Sequence, residues 1–393
     1  MKVVIAPQGF KENLTALQVS RAVDNGIRCV VPNVVTTIVP MADGGEGTLQ
    51  ALVDAIGGDM IPVEVTGPLG GRITAHWGFL SDGVSAVVEM AAASGLSLVP
   101  PEKRNPLMAT TYGTGELIHD ALERGCRKFI ISIGGSATND GGAGMAQALG
   151  ARLLDLGRKP ITWGGAALAN LEHIDITTID PRLASSDILV ACDVTNPLCG
   201  SQGASCVYGP QKGATPGMVA QLDAALAHYA DVIKGELGID IRDVPGAGAA
   251  GGLGAGLIVF LKAKLLPGVD IVIQATGLAR HLEDATLVFT GEGRIDGQTA
   301  CGKTPVGVAR KAKEFGLPVI AIAGEIGDGY QAVYEQGIDA VFSIAPGPIS
   351  FSESMEIAEK LISDVAGRAI RLFICGMGRV QVKKFKGGEN VFN

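Results

Sequence analysis

Short apolar runs that end in turns, each followed by a helical spacing of apolar positions, recur along this chain. Near the start, the run Val3–Ala6 precedes a helical pattern at Thr15–Gly26, and the run Val34–Pro40 precedes another at Leu49–Ile56. Continuous apolar runs favour buried strands, whereas apolar positions spaced by three and four favour helices. Their alternation predicts an α/β fold for this part of the chain.

The last third of the chain repeats this alternation. It contains predicted strands at Thr286–Thr290, Pro318–Ala323 and Ala340–Ala345, and predicted helices at Val306–Phe315, Gln331–Gln336 and Ser354–Phe373. Together with the two strands near the start, these strands suffice for a doubly wound parallel sheet of the flavodoxin-like type, built from both ends of the chain.

The middle of the chain has shorter runs and more turns. Its predicted elements are strands at Ile61–Val65, Ile73–Phe79, Ala86–Met90, Lys128–Ile133 and Ile188–Cys192, with helices near Gly115–Arg124 and Pro216–Glu236. The first three strands alternate between apolar and polar positions, which is typical of antiparallel pairing. We therefore predict a second α/β domain inserted into the first.

We place the flavodoxin-like domain at residues 1–59 and 285–374, and the inserted α/β domain at residues 60–284. Two domains are the expected number for a chain of 393 residues. Residues 375–393 lose helical periodicity and gain charge, so we expect a disordered tail.

The segment from Ile133 to Gly144 is the clearest functional signal. An apolar run stops at two glycines, and a loop of hydroxyl and amide side chains with one carboxylate leads into a helical pattern. A strand, glycine loop and helix in this order present unpaired backbone N–H groups to an anion. We interpret the chain as a small-molecule kinase whose loop contacts the phosphates of ATP. The candidate contacts are Gly134, Gly135, Ser136, Thr138, Asn139 and Asp140.

Carboxylates follow other predicted strands. Asp43 and Glu46 lie in a glycine loop after the second strand and are candidate ligands of Mg²⁺, with solvated turn residues as the alternative. Asp193 follows the strand at Ile188–Cys192 and is a candidate general base or metal ligand, with an Asx turn as the alternative. Asp296 is the second candidate base.

Four basic residues lie near these loops. Lys212, in a Gly-Pro-Gln-Lys-Gly turn, is a candidate point charge for a phosphate, and Lys303 is a further candidate phosphate contact. Arg294 or Lys11 is a candidate partner for a substrate carboxylate. A surface loop and a local salt bridge are the alternatives for Lys212 and Arg294.

Composition removes several classes of function. The net charge of -8 lacks the basic footprint of a nucleic-acid-binding protein. Seven cysteines without a Cys-x-x-Cys pair favour free, buried thiols and a cytoplasmic location. The uncharged stretch Val244–Leu261 is rich in glycine, which favours a loop and a buried helix over a membrane span.

One nucleotide-binding motif suggests a different class of enzyme. Residues 297–304 match the Walker A pattern, Gly-x-x-x-x-Gly-Lys-Thr. A true P-loop leaves its strand directly, whereas the predicted strand here ends at Thr290. A P-loop NTPase is therefore the alternative rather than the main prediction.

Nine segments in order resemble the bacterial type I glycerate kinase family. They are AP-x-x-FK at 6–11, PMADGGEGT at 40–48, EMAAASGL at 89–96, GTGELI at 113–118, IGGSATNDGGAGMAQALG at 133–150, ACDVTNPL at 191–198, GPQKGA at 209–214, PGAGAAGGLG at 245–254 and TGEGRIDGQT at 290–299. The resemblance implies a flavodoxin-like domain with an inserted α/β domain. It also implies transfer of the γ-phosphoryl group of ATP to D-glycerate, giving 2-phosphoglycerate or 3-phosphoglycerate. A homodimer is left open.

The first segment departs from the family pattern. The family reads Ala-Pro-Asp-Ser-Phe-Lys there, whereas this chain has Gln8 and Gly9 in place of the Asp and Ser. If that carboxylate binds metal or orients the substrate, its loss should impair catalysis. A catalytically impaired, anion-binding member of the family is therefore a second alternative.

Overall fold

The structure is a computed structural model that describes residues 1–385, with side chains up to residue 377. The strands are β1 (Lys2–Ile5), β2 (Val35–Ile38), β3 (Gly58–Thr66), β4 (Arg72–Leu80), β5 (Ser85–Glu89), β6 (Lys128–Ser132), β7 (Arg152–Leu154), β8 (His173–Asp175), β9 (Asp187–Ala191), β10 (Lys264–Leu266), β11 (Leu287–Ile295), β12 (Val319–Ile326) and β13 (Ala340–Ser343).

The α-helices alternate with strands in the outer parts of the chain, whereas β3, β4 and β5 follow one another without an intervening helix. The helices are α1 (Ala16–Val30), α2 (Thr48–Ile56), α3 (Ala91–Ser94), α4 (Tyr112–Glu123), α5 (Ala143–Ala148), α6 (Ala204–Tyr208), α7 (Pro216–Leu237), α8 (Ala249–Leu261), α9 (Gly268–Thr276), α10 (Leu278–Leu282), α11 (Thr304–Lys313), α12 (Phe351–Glu356) and α13 (Ala358–Phe385). The segment predicted as a helix at Gln331–Gln336 is a 3₁₀ helix, Tyr330–Gln336.

Two compact units make up the chain. The outer unit comprises Met1–Ala42 and Thr276–Asn393, and the inserted unit comprises Asp43–Ala275. The first boundary lies before α2, rather than near residue 60, because α2 packs on the sheet of the inserted unit. Gly78 of β4 makes room for this contact, since a Cβ there would lie 2.5 Å from Leu49 and 3.0 Å from Val53 of α2.

The outer unit contains a five-stranded parallel sheet in the order β13-β12-β11-β1-β2. This is the flavodoxin-like order, so the predicted fold class is confirmed. Helices α1 and α13 approach closely at Gly26, where a Cβ would lie 2.1 Å from the carbonyl oxygen of Ser363. All five strands are parallel, so their carboxyl ends lie at the same edge of the sheet.

Strand β11 is longer than the sequence predicts. It continues past Thr290 to Ile295 and pairs with β12 along this extension, with Arg294 opposite Glu325. Glycine and charged residues have low strand propensity, so the sequence pattern predicts a strand end at Thr290. Gly291 permits the pairing, because a Cβ there would lie 2.1 Å from the carbonyl oxygen of Ile322.

The inserted unit contains a six-stranded mixed sheet in the order β10-β9-β6-β5-β4-β3. Strands β5, β6, β9 and β10 are parallel, whereas β4 is antiparallel to both β3 and β5. The carboxyl ends of the parallel strands and the turn between β3 and β4, residues 67–71, therefore lie at one edge. We call this edge the carboxyl edge of the inserted unit.

The end of the chain differs from the predicted tail. Helix α13 continues through residues 375–385, which were expected to be disordered, and residues 386–393 lie outside the described part of the chain. No proline interrupts residues 375–385, and extending a helix costs far less than starting one. Within the described residues, no helix is both long enough and apolar enough to cross a membrane.

Candidate active site

The glycine loop after β6 exposes only its two glycines. Gly134 and Gly135 are open to solvent, whereas the side chains of Ser136, Thr138 and Asn139 are buried. Gly135 has a φ of +75°, a conformation that favours glycine. The surface that this loop offers to an anion is therefore main chain, at Gly134 and Gly135, rather than the hydroxyl side chains of the predicted contact set.

Asp140 holds the loop in place from inside. Its carboxylate accepts hydrogen bonds from the Thr111 amide at 2.8 Å and the Thr111 hydroxyl at 2.9 Å. The amides of Gly142 and Gly144 donate to it at 3.3 Å each. Burial raises the pKa of Asp140, and these hydrogen bonds oppose the rise. Asp140 joins the loop to the start of α4 and has no surface exposed for a phosphate.

Lys212 lies beneath the loop. It is 2% exposed, and its Nζ donates to Ser136 Oγ at 2.7 Å and to the carbonyl oxygen of Thr138 at 2.6 Å. Burial lowers the pKa of Lys212 to about 7, against the opposing influence of the Asp140 carboxylate. Lys212, predicted as a point charge for a phosphate with a surface-loop lysine as the alternative, is thus an interior cation that supports the loop.

Asp193 extends from the end of β9 toward two other carboxylates. Its Oδ1 accepts a hydrogen bond from the Gly268 amide at 2.9 Å, and no other hydrogen bond to its carboxylate is found within the described residues. Desolvation raises the pKa of Asp193, the Gly268 amide opposes this, and the negative charges of Asp43 and Asp270 raise it further. Asp43 is half-buried and accepts from the Gly45 amide at 3.1 Å.

Close backbone contact fixes the Asp43 loop against the sheet. A Cβ on Gly268 would lie 1.9 Å from the carbonyl oxygen of Asp43, and a Cβ on Gly44 would lie 2.5 Å from the Cβ of Ala191. Such positions accept only glycine without a shift of the main chain. The sequence therefore brings Asp43 and Asp193 to the same part of the carboxyl edge.

We expect Gly268→Ala to displace the Asp43 loop and to destabilise the protein by about 1–3 kcal/mol, the usual cost of overpacking. The matched control is Gly134→Ala, because a Cβ there would lie an ordinary 3.7 Å from Gly45. Urea unfolding of both variants measures the difference. Equal stability of the two variants would show that the Asp43 loop moves freely.

Glu89, the last residue of β5, is a further candidate site residue, which the strand and loop patterns did not single out. Its Oε1 accepts from the Leu49 amide at 2.9 Å, in the first turn of α2. Burial raises the pKa of Glu89, and the hydrogen bond from Leu49 opposes this. Glu46 is exposed. Within the described residues, no three His, Cys, Asp or Glu side chains form a ready-made metal centre.

The outer unit positions the remaining candidates around β1 and β11. Arg294 forms ion pairs with Asp296 and Glu325, each at 3.1 Å, so its guanidinium is already engaged. Partial desolvation would raise the pKa of Asp296, but the amide of Gln298 and the Arg294 guanidinium outweigh it, and the pKa is lowered. Lys303 is half-buried, with Nζ 4.0 Å from Glu292. Lys11 is exposed and forms no ion pair with the described residues.

Gln8 and Gly9, which replace the Asp and Ser of the family pattern, follow β1 in the outer unit. Gln8 is 6% exposed, and its side-chain carbonyl oxygen has no hydrogen-bond partner within the described residues. A Cβ on Gly9 would lie 2.9 Å from the carbonyl oxygen of Leu14, so a serine there would require a backbone shift. The local main chain therefore suits glycine at this position.

Comparisons with known proteins agree on one family. Residues 3–374 match the model of the glycerate kinase family. The glycerate kinase of Halalkalibacterium halodurans is 56% identical over 364 residues, which cover 93% of this chain and 96% of that protein. The glycerate 2-kinase of Escherichia coli is 55% identical over 344 residues, covering 88% of this chain and 90% of that protein.

A solved structure gives the same result. The crystal structure of a proposed glycerate kinase 2 from Salmonella typhimurium LT2 superposes with a TM-score of 0.90 at 50% identity, covering 96% of this chain and 99% of that one. Because β11 ends at Ile295, close to the Walker A match at 297–304, the early strand end no longer argues against a P-loop; the match of residues 3–374 to the glycerate kinase family is what favours the main prediction over that alternative. This chain belongs to the glycerate kinase family.

Proposed function

We propose that this chain transfers the γ-phosphoryl group of ATP to D-glycerate and forms 2-phosphoglycerate. The observation that carries the proposal is the position of Asp193 and the bare amides of Gly134–Gly135 at one carboxyl edge, in a chain 55% identical to a protein named glycerate 2-kinase. Phosphoryl transfer requires positioned phosphates and a group that accepts or orients the hydroxyl proton, and this edge supplies both.

The phosphates contact main chain rather than side chains. The exposed Gly134 and Gly135 leave room for phosphate oxygens, since a Cβ at either would meet no atom closer than 3.7 Å. The ammonium of Lys212, beneath the loop, is held through Ser136 and Thr138. In a low-dielectric interior, a charge at this position acts on a bound anion more strongly than it would in water.

Asp193 is the stronger of the two candidate bases. An effective general base has a pKa near the working pH. Desolvation and the neighbouring carboxylates raise the pKa of Asp193, whereas hydrogen bonds and Arg294 lower that of Asp296. We therefore assign the hydroxyl proton of the substrate to Asp193.

The chemistry of the Asp43 loop fits the magnesium ion that accompanies ATP. Mg²⁺ is usually held by one or two carboxylates together with substrate phosphates, and Asp43 acts electrostatically on Asp193. When bound, the ion neutralises phosphate charge during transfer. Asp43 would hold it, and the exposed Glu46 is the second candidate ligand on the same loop.

Phosphorus NMR of the purified protein with ATP, Mg²⁺ and D-glycerate tests the proposal. We expect ADP and 2-phosphoglycerate in equal amounts, with little ADP when glycerate is omitted. Formation of 3-phosphoglycerate would overturn the assigned position of transfer. Binding of ATP without any phosphoglycerate would favour the catalytically impaired alternative and would overturn the proposed activity.

A further inference from the structure

We propose that an exposed aromatic patch at the carboxyl edge of the inserted unit binds the purine base of the nucleotide. The patch consists of Leu69, Met108, Tyr112 and Trp163, and we call it the purine patch. The proposal rests on the proposed function, because it assigns the base of the same ATP whose phosphates contact the glycine loop. None of these four residues was among the candidates from the sequence.

The purine patch exposes large apolar side chains that would ordinarily be buried. Trp163 is 40% exposed, Leu69 is 46% exposed and Met108 is 63% exposed. The rings of Tyr112 and Trp163 lie with their centroids 4.8 Å apart and their planes at 43°. A contiguous apolar surface of this kind is typical of a binding site, and an aromatic face accepts a nucleobase by stacking.

Three loops hold the patch together, so it is a built surface rather than a set of free side chains. The Thr110 amide donates to the carbonyl oxygen of Pro68 at 3.0 Å, and the Ala166 amide donates to that of Leu107 at 3.1 Å. Gly70 lies against the Trp163 ring, since a Cβ there would be 3.7 Å from it. The aromatic pair is therefore positioned before any ligand arrives, which lowers the entropic cost of binding.

The patch is also joined to the glycine loop. Thr111, which precedes Tyr112, donates twice to Asp140. Gly165, two residues after Trp163, packs against Asn139. A Cβ on Gly165 would lie 2.6 Å from the carbonyl oxygen of Asn139. The segments that carry Tyr112 and Trp163 therefore also contact the glycine loop, through Thr111 and Gly165. This is expected if one nucleotide contacts both the purine patch and the glycine loop.

A cation lies on the segment that leads to the patch. Arg104 forms no ion pair within the described residues. It packs on the turn that carries Lys212, because a Cβ on Gly213 would lie 2.8 Å from the Arg104 carbonyl oxygen. Its guanidinium donates to the carbonyl oxygen of Gln211 in that turn at 3.4 Å, and its positive charge suits the anionic phosphates of a nucleotide better than it suits an apolar protein surface.

The two tryptophans of the chain make the test direct. Trp77 is fully buried and donates its indole N–H to Asp120, so Trp163 is the one that a solution ligand can reach. We expect adenosine and ATP to quench Trp163 fluorescence, and tripolyphosphate to leave it unchanged. Trp163→Ala should weaken ATP binding by about 10- to 100-fold, as loss of one base-stacking contact predicts. Its affinity for tripolyphosphate should equal that of the wild type.

Two variants serve as controls. Trp163→Phe keeps an aromatic face and should bind ATP within a few-fold of the wild type while losing the fluorescence signal. Leu156→Ala removes another exposed apolar side chain, 80% exposed and outside the patch, and should leave ATP binding unchanged. These binding measurements need no phosphoryl transfer, so they test the purine patch independently of the proposed kinase activity.

Three outcomes would overturn the proposal. The first is unchanged ATP affinity in Trp163→Ala. The second is a loss of tripolyphosphate affinity equal to the loss for ATP, which would indicate damage to the glycine loop. The third is a dimer in the wild type that becomes a monomer in Trp163→Ala with ATP binding intact, which would assign the patch to contact between two copies of the chain.

Discussion

Asp193→Asn should lower kcat for glycerate phosphorylation by a factor of about 10² to 10⁴, the usual contribution of a positioned general base. The amide keeps the shape of the side chain and can still accept the hydrogen bond from the Gly268 amide. It cannot take the proton of the substrate hydroxyl. We therefore expect the KM for ATP to change much less than kcat, as measured by ADP release at saturating glycerate.

The pH profile gives this prediction a second readout. Asp193 accepts a proton only when ionised, and its pKa lies above the ordinary aspartate value because of desolvation and the charges of Asp43 and Asp270. In the wild type, kcat/KM should fall as the pH drops through this raised pKa. In Asp193→Asn that acidic limb should disappear.

A matched control lies at the other end of the same strand. Asp187 is the first residue of β9, is exposed, and forms an ion pair with Lys264 at 3.5 Å. Asp187→Asn should leave kcat unchanged. Turnover in Asp193→Asn equal to that of Asp187→Asn would remove Asp193 as the base, and would leave the transfer to positioning of the phosphates alone.

Much of this architecture can be predicted from the sequence, because strand ends carry a strong local signal. The predicted runs before Gly134 and before Asp193 end within one residue of the ends of β6 and β9, and both residues lie at the carboxyl edge. Periodicity also places the five strands of the outer sheet. These features depend on residues close together in sequence, which is what a pattern can detect.

What the sequence did not predict depends on contacts between distant residues. Lys212 and Asp140 have the composition of a surface loop, yet both are buried, because Ser136, Thr138 and Thr111 supply partners from other segments. The extension of β11 depends in the same way on pairing with β12.

The aromatic pair of Tyr112 and Trp163 also depends on a contact between distant residues, so the sequence does not predict this binding surface. Tyr112 and Trp163 are far apart in the chain and belong to no common motif, and only the fold brings their rings to 4.8 Å. A single exposed aromatic residue is unremarkable on a protein surface. Its significance comes from a neighbour that the sequence cannot identify, and from the loops that hold both residues beside Asp140 and Asn139.

Lys212 should be costly for stability and necessary for nucleotide binding. Burial of its ammonium lowers the pKa from 10.5 to about 7. This shift reduces the free energy of unfolding by a few kcal/mol near neutral pH. Residues that destabilise a fold in this way are often kept for function. We expect Lys212→Met to fold and, below about pH 7 where the wild-type ammonium is charged, to raise the Kd for ATP by about tenfold or more, because the charge beneath the glycine loop is lost.

The free energies of unfolding of the wild type and of Lys212→Met should depend differently on pH. Between about pH 7 and 10.5 the unfolded wild type binds a proton at Lys212 that the folded protein does not, so its free energy of unfolding rises with pH across this window and levels off on either side. Lys212→Met lacks this titration, and so the wild type should gain stability relative to the variant from pH 7 to 10. Urea unfolding at several pH values measures the difference, with Lys103→Met, at an exposed site of the same unit, as the matched control. Parallel curves for wild type and Lys212→Met, with unchanged ATP affinity, would show that Lys212 neither titrates in the interior nor supports the loop.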